Sequence, residues 1–396
     1  MRILTNDYLS NVPGSAVKTK GGPAQFARHF SDAVVAHGHE WIGIFTSRTK
    51  QSTGYEEIND GDKKRFLSIE NSKDRSSLLR GTAVSEISPA EFEEDIVRIE
   101  KIISDIRPDL LFLNGFSLDA WTYAQAAFRA RVPVVIQHAG ILTKEFDMYK
   151  DWFNPAACAF GKAIEGDVAA KATANVFLNE FSRDAFTRLV EPEALSKPVI
   201  IPLPHAGWTF EKVRMVPRDA RTLGIVARWD RIKNHEAILA FAKEIKRREL
   251  PWRIRSVTKI PETPQRADFK KRYKALVEVI PPMEREELHA FYESLDALVL
   301  PSHFDVSPTV VMEAVATGKP TLISPNVGWV SEYKACGMND WIIDFDDPAL
   351  VVERLQEQFM RDAWPEVEVF SSYVKEHHDP ETVYRAYLSL FEQVIS

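Results

Sequence analysis

Short apolar runs alternate with longer stretches whose apolar positions recur every three or four residues, and this alternation fills most of the chain. Buried parallel strands read as continuous apolar runs, and the helices that connect them read as one-sided apolar stripes. Ile3 and Leu4 begin the series. Strands are predicted at Trp41–Thr46, Leu110–Leu113, Val132–Ile136, Val176–Leu178 and Val199–Ile201. A helix with Phe26, Phe30 and Val34 on one face follows Gly21-Gly22-Pro23, and further helices are predicted over 92–106, 119–131, 154–171 and 181–189. Strand and helix in strict alternation imply parallel strands with crossover helices, and hence a doubly wound sheet. Residues 47–90 are polar and read as surface excursions with short elements.

The stretch 204–219 breaks the pattern and reads as a linker, after which a second alternation begins. Its strands are predicted at Leu223–Val226, Arg253–Val257, Glu278–Ile280, Ala297–Leu300, Thr321–Ser324 and Trp341–Asp344. Its helices are predicted near 234–248, 265–277, 284–295, 309–317, 329–336 and 348–360. A closing helix from Pro380 to Val394 is apolar on one face and is expected to cross back onto the first domain. The expected division is a first α/β domain over 1–205, joined by 376–396, and a second over 206–375. Two such domains would line a cleft with the carboxyl ends of their strands, where open α/β sheets bind ligands.

Composition narrows this little. The chain has 396 residues, 45% hydrophobic and 27% charged, and is long enough for two cores. Its net charge of −7 argues against nucleic acid as the main partner. Cys158 and Cys336 are the only cysteines, so there is no disulfide framework and no cysteine-rich metal site. No apolar run has the length of a membrane span, and MRILTND opens as a strand and not as a signal peptide. A cytoplasmic enzyme is the expectation, with peripheral membrane contact left open.

The stretch PSHFDVSPTVVMEAVATGKPTLIS, from Pro301 to Ser324, holds the densest chemistry. It reads as the end of a buried strand, a loop with Asp305, a helix starting near Pro308 or Thr309 with Glu313 in its first turns, a stop at Gly318-Lys319-Pro320, and another strand. Backbone N–H groups at the helix start can hold an anion, and a carboxylate one turn in can accept hydrogen bonds from a sugar diol. Gly21 and Gly22 precede a helix and would let the backbone approach a phosphate, although glycine pairs also make plain turns. Arg228 and Lys233 follow a strand and are placed either to neutralise a diphosphate or to sit as solvated loop charges. His138 ends the run VPVVIQH and would point into the cleft, to hydrogen-bond a ligand or shuttle a proton, or serve as a structural histidine. His377-His378 reads as an exposed pair. The P-loop, GxGxxG, GxSxG and HExxH signatures are absent.

In their order and spacing these pieces resemble the retaining GT-B glycosyltransferases of the family-4 type, the glycosyl transferases group 1. The resemblance is carried by GGPAQFARHFSDAVVAHGHE, His138, FLNEFSRDAF, IPLP, the Arg228–Lys233 pair and the stretch from Val299 to Glu332. It implies a GT-B fold of two Rossmann-like domains facing a cleft, with the acceptor on the first and the donor on the second. It further implies metal-independent, retaining transfer of a sugar from a UDP- or GDP-sugar to a hydroxyl acceptor, with no other cofactor. Glu313 would hold the ribose hydroxyls, and Asp305 the donor sugar in place of the usual glutamate. Arg228 and Lys233 would grip the diphosphate, Gly22 with its neighbour Gly21 would close on it, and His138 would lie close to the reacting sugar. Ser307, Thr309 and Val310 occupy the turn that binds sugar and phosphate, but Pro308 cannot donate an N–H there. Both departures bear on the donor sugar. The acceptor side falls to loop 6–22, to 47–90 and to Ile141–Phe153. A nucleotide-sugar epimerase or phosphorylase of the same fold is the rival enzyme, and a non-catalytic sugar-nucleotide-binding protein the rival of another class.

Overall fold

The computed structural model describes residues 1–15, 22–46, 55–72, 75–80, 85–205, 207–213, 219–263 and 266–396. The chain divides into two compact units, Met1–Leu203 with Glu381–Ser396, and Pro204–Pro380.

The first unit runs β1 (Arg2–Asn6), α1 (Gly22–Ala36), β2 (Glu40–Thr46), β3 (Glu56–Asn59), β4 (Lys64–Ile69), α2 (Arg75–Arg80), α3 (Glu93–Ile106), β5 (Leu110–Asn114) and α4 (Leu118–Arg129). It continues through β6 (Val134–His138), α5 (Leu142–Met148), α6 (Pro155–Lys171), β7 (Ala174–Phe177), α7 (Glu180–Val190) and β8 (Pro198–Ile200). The sheet order is β3-β4-β2-β1-β5-β6-β7-β8, parallel throughout except for β3. Strand order reverses at β1, which pairs with β2 on one side and β5 on the other. The central strands carry continuous apolar runs, LLFL in β5 and VVI in β6, because both of their faces are covered. Ile96, Ile99 and Ile103 of α3 and Trp121 of α4 fill one side.

The second unit runs β9 (Arg221–Val226), α8 (His235–Arg247), β10 (Trp252–Val257), α9 (Ala267–Lys274), β11 (Val277–Ile280), α10 (Arg285–Glu293), β12 (Ala297–Leu300) and α11 (Thr309–Ala316). It ends with β13 (Thr321–Ile323), α12 (Val330–Ala335), α13 (Pro348–Phe359) and α14 (Pro365–His377). All five strands are parallel, in the order β11-β10-β9-β12-β13, so this sheet switches direction between β9 and β12. Gly224 in β9 admits Leu295, whose Cδ1 lies 2.1 Å from where a Cβ would stand. The final helix, α15 (Pro380–Ile395), returns to the first unit. Its Tyr387 ring lies 5.2 Å from Phe30 and its Phe391 ring 5.3 Å from Phe112, forming an aromatic core on the sheet face that α1 also covers.

Four readings of the sequence change. Within 47–90, β3 is short and exposed as expected, but β4 is a largely buried strand parallel to β2 that extends the sheet; residues 47–54, 73–74 and 81–84 lie outside the described set. The predicted strand at 341–344 is a 3-10 turn over Asn339–Trp341 with a single bridge from Ile342 to Ile323. Its apolar residues point into a side-chain core, where Trp341 meets Trp364 edge to face. His378 is buried against Trp329, so His377-His378 is not an exposed pair. The described part of 204–219 is packed: Trp208 is buried and stacks on His289, and the Glu211 N–H donates to the Ala316 carbonyl. No helix among the described residues is long and apolar enough to cross a membrane.

Gly318 closes α11 at φ +71, and a Cβ there would stand 2.6 Å from the Lys212 carbonyl oxygen. Gly318→Ala therefore adds left-handed strain to a backbone clash, and is expected to cost about 2 kcal/mol or more of stability. Urea denaturation checks this; a loss below about 0.5 kcal/mol would show that the two segments can separate without cost.

Candidate functional site

The direction switch in the second sheet lies between β9 and β12, and the loops leaving the carboxyl ends of those two strands carry Arg228, Lys233, Asp305 and Ser307. Ligands of open α/β sheets sit at such switch points.

The loop after β9 is built from its own polar residues. Asp230 accepts from the Ile232 N–H at 3.1 Å and starts a 3-10 turn over Arg231–Lys233. Asn234 then takes left-handed angles and caps α8 through the Ala237 N–H at 3.2 Å. Asparagine tolerates that conformation better than most residues. His235 is buried, stacks on Trp229 at 4.1 Å, and donates from Nε2 to the Arg228 carbonyl at 3.0 Å. Burial holds the His235 imidazole below its ordinary pKa, and hence neutral. The Arg228 backbone is thereby fixed while its side chain, 77% exposed, extends with Asp230 at 3.8 Å.

The loop after β12 is tied to this one. His303 N–H donates to the Ile232 carbonyl at 2.8 Å, and the Lys233 ammonium pairs with Asp305 Oδ2. Asp305 is itself held by its backbone, donating to Asn326 at 3.1 Å and accepting from Gly328 at 2.8 Å. Lys233 and Asp305 are mostly buried, so their attraction is less screened than that of a surface pair.

Pro308 is the N-cap of α11 and not its first helical residue. Its carbonyl accepts from the buried Trp329 indole at 3.1 Å. This fixes the turn that aims the Thr309 and Val310 N–H groups outward from the helix start, where intrahelical acceptors are lacking. Ser307, just before it, is buried. Glu313, one turn further in, is buried rather than solvated on the helix surface. It accepts from Tyr292 Oη at 2.6 Å and from the Thr309 hydroxyl. Burial raises its carboxyl pKa, opposed by those two hydrogen bonds and by the positive charge of Arg285. The Ser302 hydroxyl at the end of β12 and the Thr258 hydroxyl at the end of β10 are buried with no partner among the described residues. Both are available to a ligand at this edge of the sheet.

In the first unit, Gly22 starts α1 and Gly21 lies outside the described residues. The switch at β1 and β5 is tied there by Asn114, whose Nδ2 donates to the Pro23 carbonyl at 2.8 Å and whose N–H donates to Asn6 Oδ1 at 2.7 Å. His138 ends β6, and the reading of it as a cleft-facing proton shuttle is corrected. Its ring is 1% exposed, stacked on Phe177 at 4.6 Å and packed on Phe186 at 4.3 Å. Asn175 uses its amide N–H groups on the Ala169 and Ser196 carbonyls, so its Oδ1 accepts from His138 Nε2 at 2.9 Å. Nδ1 is then a bare acceptor, and burial lowers the pKa to about 4, so the ring is neutral near pH 7.

The structure thus brings together Lys233, Asp305, Thr309, Val310 and Glu313 in one unit. Sequence reasoning missed Tyr292, Trp329, His235 and Asp230. Trp329 and Asp230 lie within stretches the sequence singled out but carried no signal of their own, and Tyr292, Trp329 and His235 act through contacts that only the folded chain makes. Among the described residues no three His, Cys, Asp or Glu side chains group so as to hold a metal ion.

The two units are doubly wound α/β folds, and the second carries polar side chains at the switch of its sheet. Residues 208–377, within the second unit, match the family model described as glycosyl transferases group 1. The chain is similar to the putative glycosyltransferase EpsF of Bacillus subtilis, 25% identical over 136 residues, which is 34% of this chain and 35% of that relative. The matched stretch spans about a third of that protein's length. The whole chain resembles sucrose-phosphate synthase of Thermosynechococcus elongatus, with TM-score 0.69 and 17% identity over 100% of this chain and 99% of the other. It also resembles the UDP-forming α,α-trehalose-phosphate synthase of Burkholderia xenovorans, with TM-score 0.70 and 12% identity over 99% of each chain. At such identities the likeness shows the fold, which is GT-B.

Proposed function

We propose that this protein is a retaining, metal-independent glycosyltransferase that moves a hexosyl group from a UDP- or GDP-sugar to a hydroxyl acceptor. One observation carries the reading: Lys233, Asp305, the start of α11 and Glu313 meet where β9 and β12 part. The family-model match over 208–377, EpsF's printed name and the UDP-forming neighbour support the transferase part of this reading.

In this reading Glu313, held by Tyr292 and Thr309, accepts the ribose hydroxyls. Arg228, Lys233 and the Thr309 and Val310 N–H groups take the diphosphate, the role a divalent ion plays elsewhere. Asp305, held beside Lys233, meets the sugar from that side. The C1–O bond to the β-phosphate breaks through an oxocarbenium-like state, and a bond from C1 to the acceptor oxygen forms on the same face. The acceptor's proton passes to the departing phosphate oxygen, so no protein base is needed, which suits a neutral, buried His138. Gly21 and Gly22 serve the donor's diphosphate, and the first unit presents the acceptor through the segment 141–153 after His138. Loop 6–22 and residues 47–90 complete that side.

The test is transfer with UDP-glucose and GDP-mannose as donors, sugars, sugar phosphates and inositol phosphates as acceptors, and EDTA present. The α-donor is expected to give an α-linked product by NMR. A β-linked product would overturn retention, an epimerised donor without acceptor would favour the epimerase, and donor binding without turnover would favour the non-catalytic protein.

A further inference from the structure

We infer that Glu165 is a positioning residue for the acceptor side, holding the start of α5 and the His138–Ile141 loop in place. The inference rests on the transferase reading above. It begins from a helix start that lacks its own cap. The N-cap position of α5 is Ile141, which has no side chain able to accept from the first N–H groups. Glu165 supplies what is missing from α6. Its Oε1 accepts from the Leu142 N–H at 2.8 Å, and its Oε2 accepts from the Thr143 N–H at 2.8 Å and the Thr143 hydroxyl at 2.7 Å. The carboxylate is 1% exposed.

The same face of α6 carries a second docking feature one turn earlier. A Cβ on Gly161 would stand 2.5 Å from the Phe146 ring, so the missing side chain lets α5 lie directly on α6. Gly161 and Glu165 are four residues apart and share a helix face. They seat the body and the start of α5, and the loop from His138 has only Ala139, Gly140 and Ile141 to cross.

The choice of group is informative. Burial pushes the Glu165 carboxyl up to about 7, and Glu145 on α5 adds a like charge. A local serine or asparagine at position 141 would cap the helix at lower cost, but would leave it unattached to α6. A distant carboxylate fixes the helix start against the scaffold, as a positioned acceptor-binding segment requires.

Glu165→Gln keeps the shape but replaces one acceptor with a donor facing an N–H. Hydrogen exchange is expected to quicken at the Leu142 and Thr143 amides. Using the panel acceptor with the highest kcat/KM, its KM is expected to rise about 10- to 100-fold. The donor dissociation constant and the slow hydrolysis of donor by water should stay within about two-fold. Thr143→Val should act in the same direction more weakly, and the double variant should be no worse than Glu165→Gln, because both act through one cap. Faster exchange with an unchanged acceptor KM would overturn the positioning role while leaving the transferase reading intact. Loss of donor binding and hydrolysis together with acceptor use would overturn it in favour of a general structural role. Absence of transfer in the wild type would instead sink the parent reading.

Discussion

Lys233→Ala is expected to lower kcat by about 10²- to 10³-fold, the scale for removing one group that stabilises charge in the transition state. Two losses combine. The departing diphosphate loses a cation that the loop after β9 holds in place through Asp230, Asn234 and the contact from His303 to Ile232. Asp305 also loses its partner and is left as a mostly buried carboxylate facing a negatively charged leaving group. Lys233→Arg should recover little, because the bulkier planar group cannot reproduce the Asp305 contact within the same enclosure. Steady-state and single-turnover kinetics check this. A Lys233→Ala enzyme within about five-fold of wild type would remove Lys233 from the reaction.

Glu313→Gln is expected to weaken nucleoside diphosphate binding by about 30- to 100-fold with little change in kcat at saturation, since hydrogen bonds to a charged acceptor contribute roughly 2–3 kcal/mol. The glutamine keeps an acceptor for Tyr292 and so protects the fold, whereas alanine leaves the buried Tyr292 hydroxyl without its partner. The sign of the pH effect follows from burial. The Glu313 carboxyl has a raised pKa, so as pH falls it protonates earlier than an exposed glutamate, and wild-type affinity should decline on that limb. The Glu313→Gln protein should lack the decline. Calorimetric titration at several pH values measures both, and parallel profiles would detach Glu313 from the ribose.

The parts of the fold legible in the sequence are those where both faces of a strand are covered. ALVL and VPVVIQ read as strands because covering both faces of a parallel strand favours a continuous apolar run. KRFLSI was hidden because β4 enters on a lysine and an arginine near the sheet edge, with only β3 beyond it. WIID misled for the opposite reason: its apolar residues serve a side-chain core and a single bridge. The Gly318 stop was legible because only glycine suits φ +71 against the Lys212 carbonyl.

At the site, the sequence showed which chemical groups lie on which loops, and left their pairing open. Lys233 and Asp305 are 72 residues apart, and the contact between their loops is made by backbone atoms of His303 and Ile232 that carry no residue signature. Tyr292 reaches Glu313 from another helix, so a position that could have been a solvated helix acid is buried and partnered. His138 was visible as a residue at a strand end, but its environment depends on Phe177, Phe186 and Asn175 arriving from the next strand and helix.

The most direct test of the account is thermal stability with UDP, GDP, ADP and TDP, each with and without EDTA, on wild type and Glu313→Gln. A nucleotide present at about 100 times its dissociation constant adds roughly 2.7 kcal/mol, which moves a melting point by several degrees. The account predicts that UDP or GDP raises the wild-type melting point, that EDTA leaves the shift unchanged, and that Glu313→Gln loses most of it. No response to any of the four, or a shift that EDTA abolishes, would contradict a metal-independent nucleotide-sugar site on the second unit.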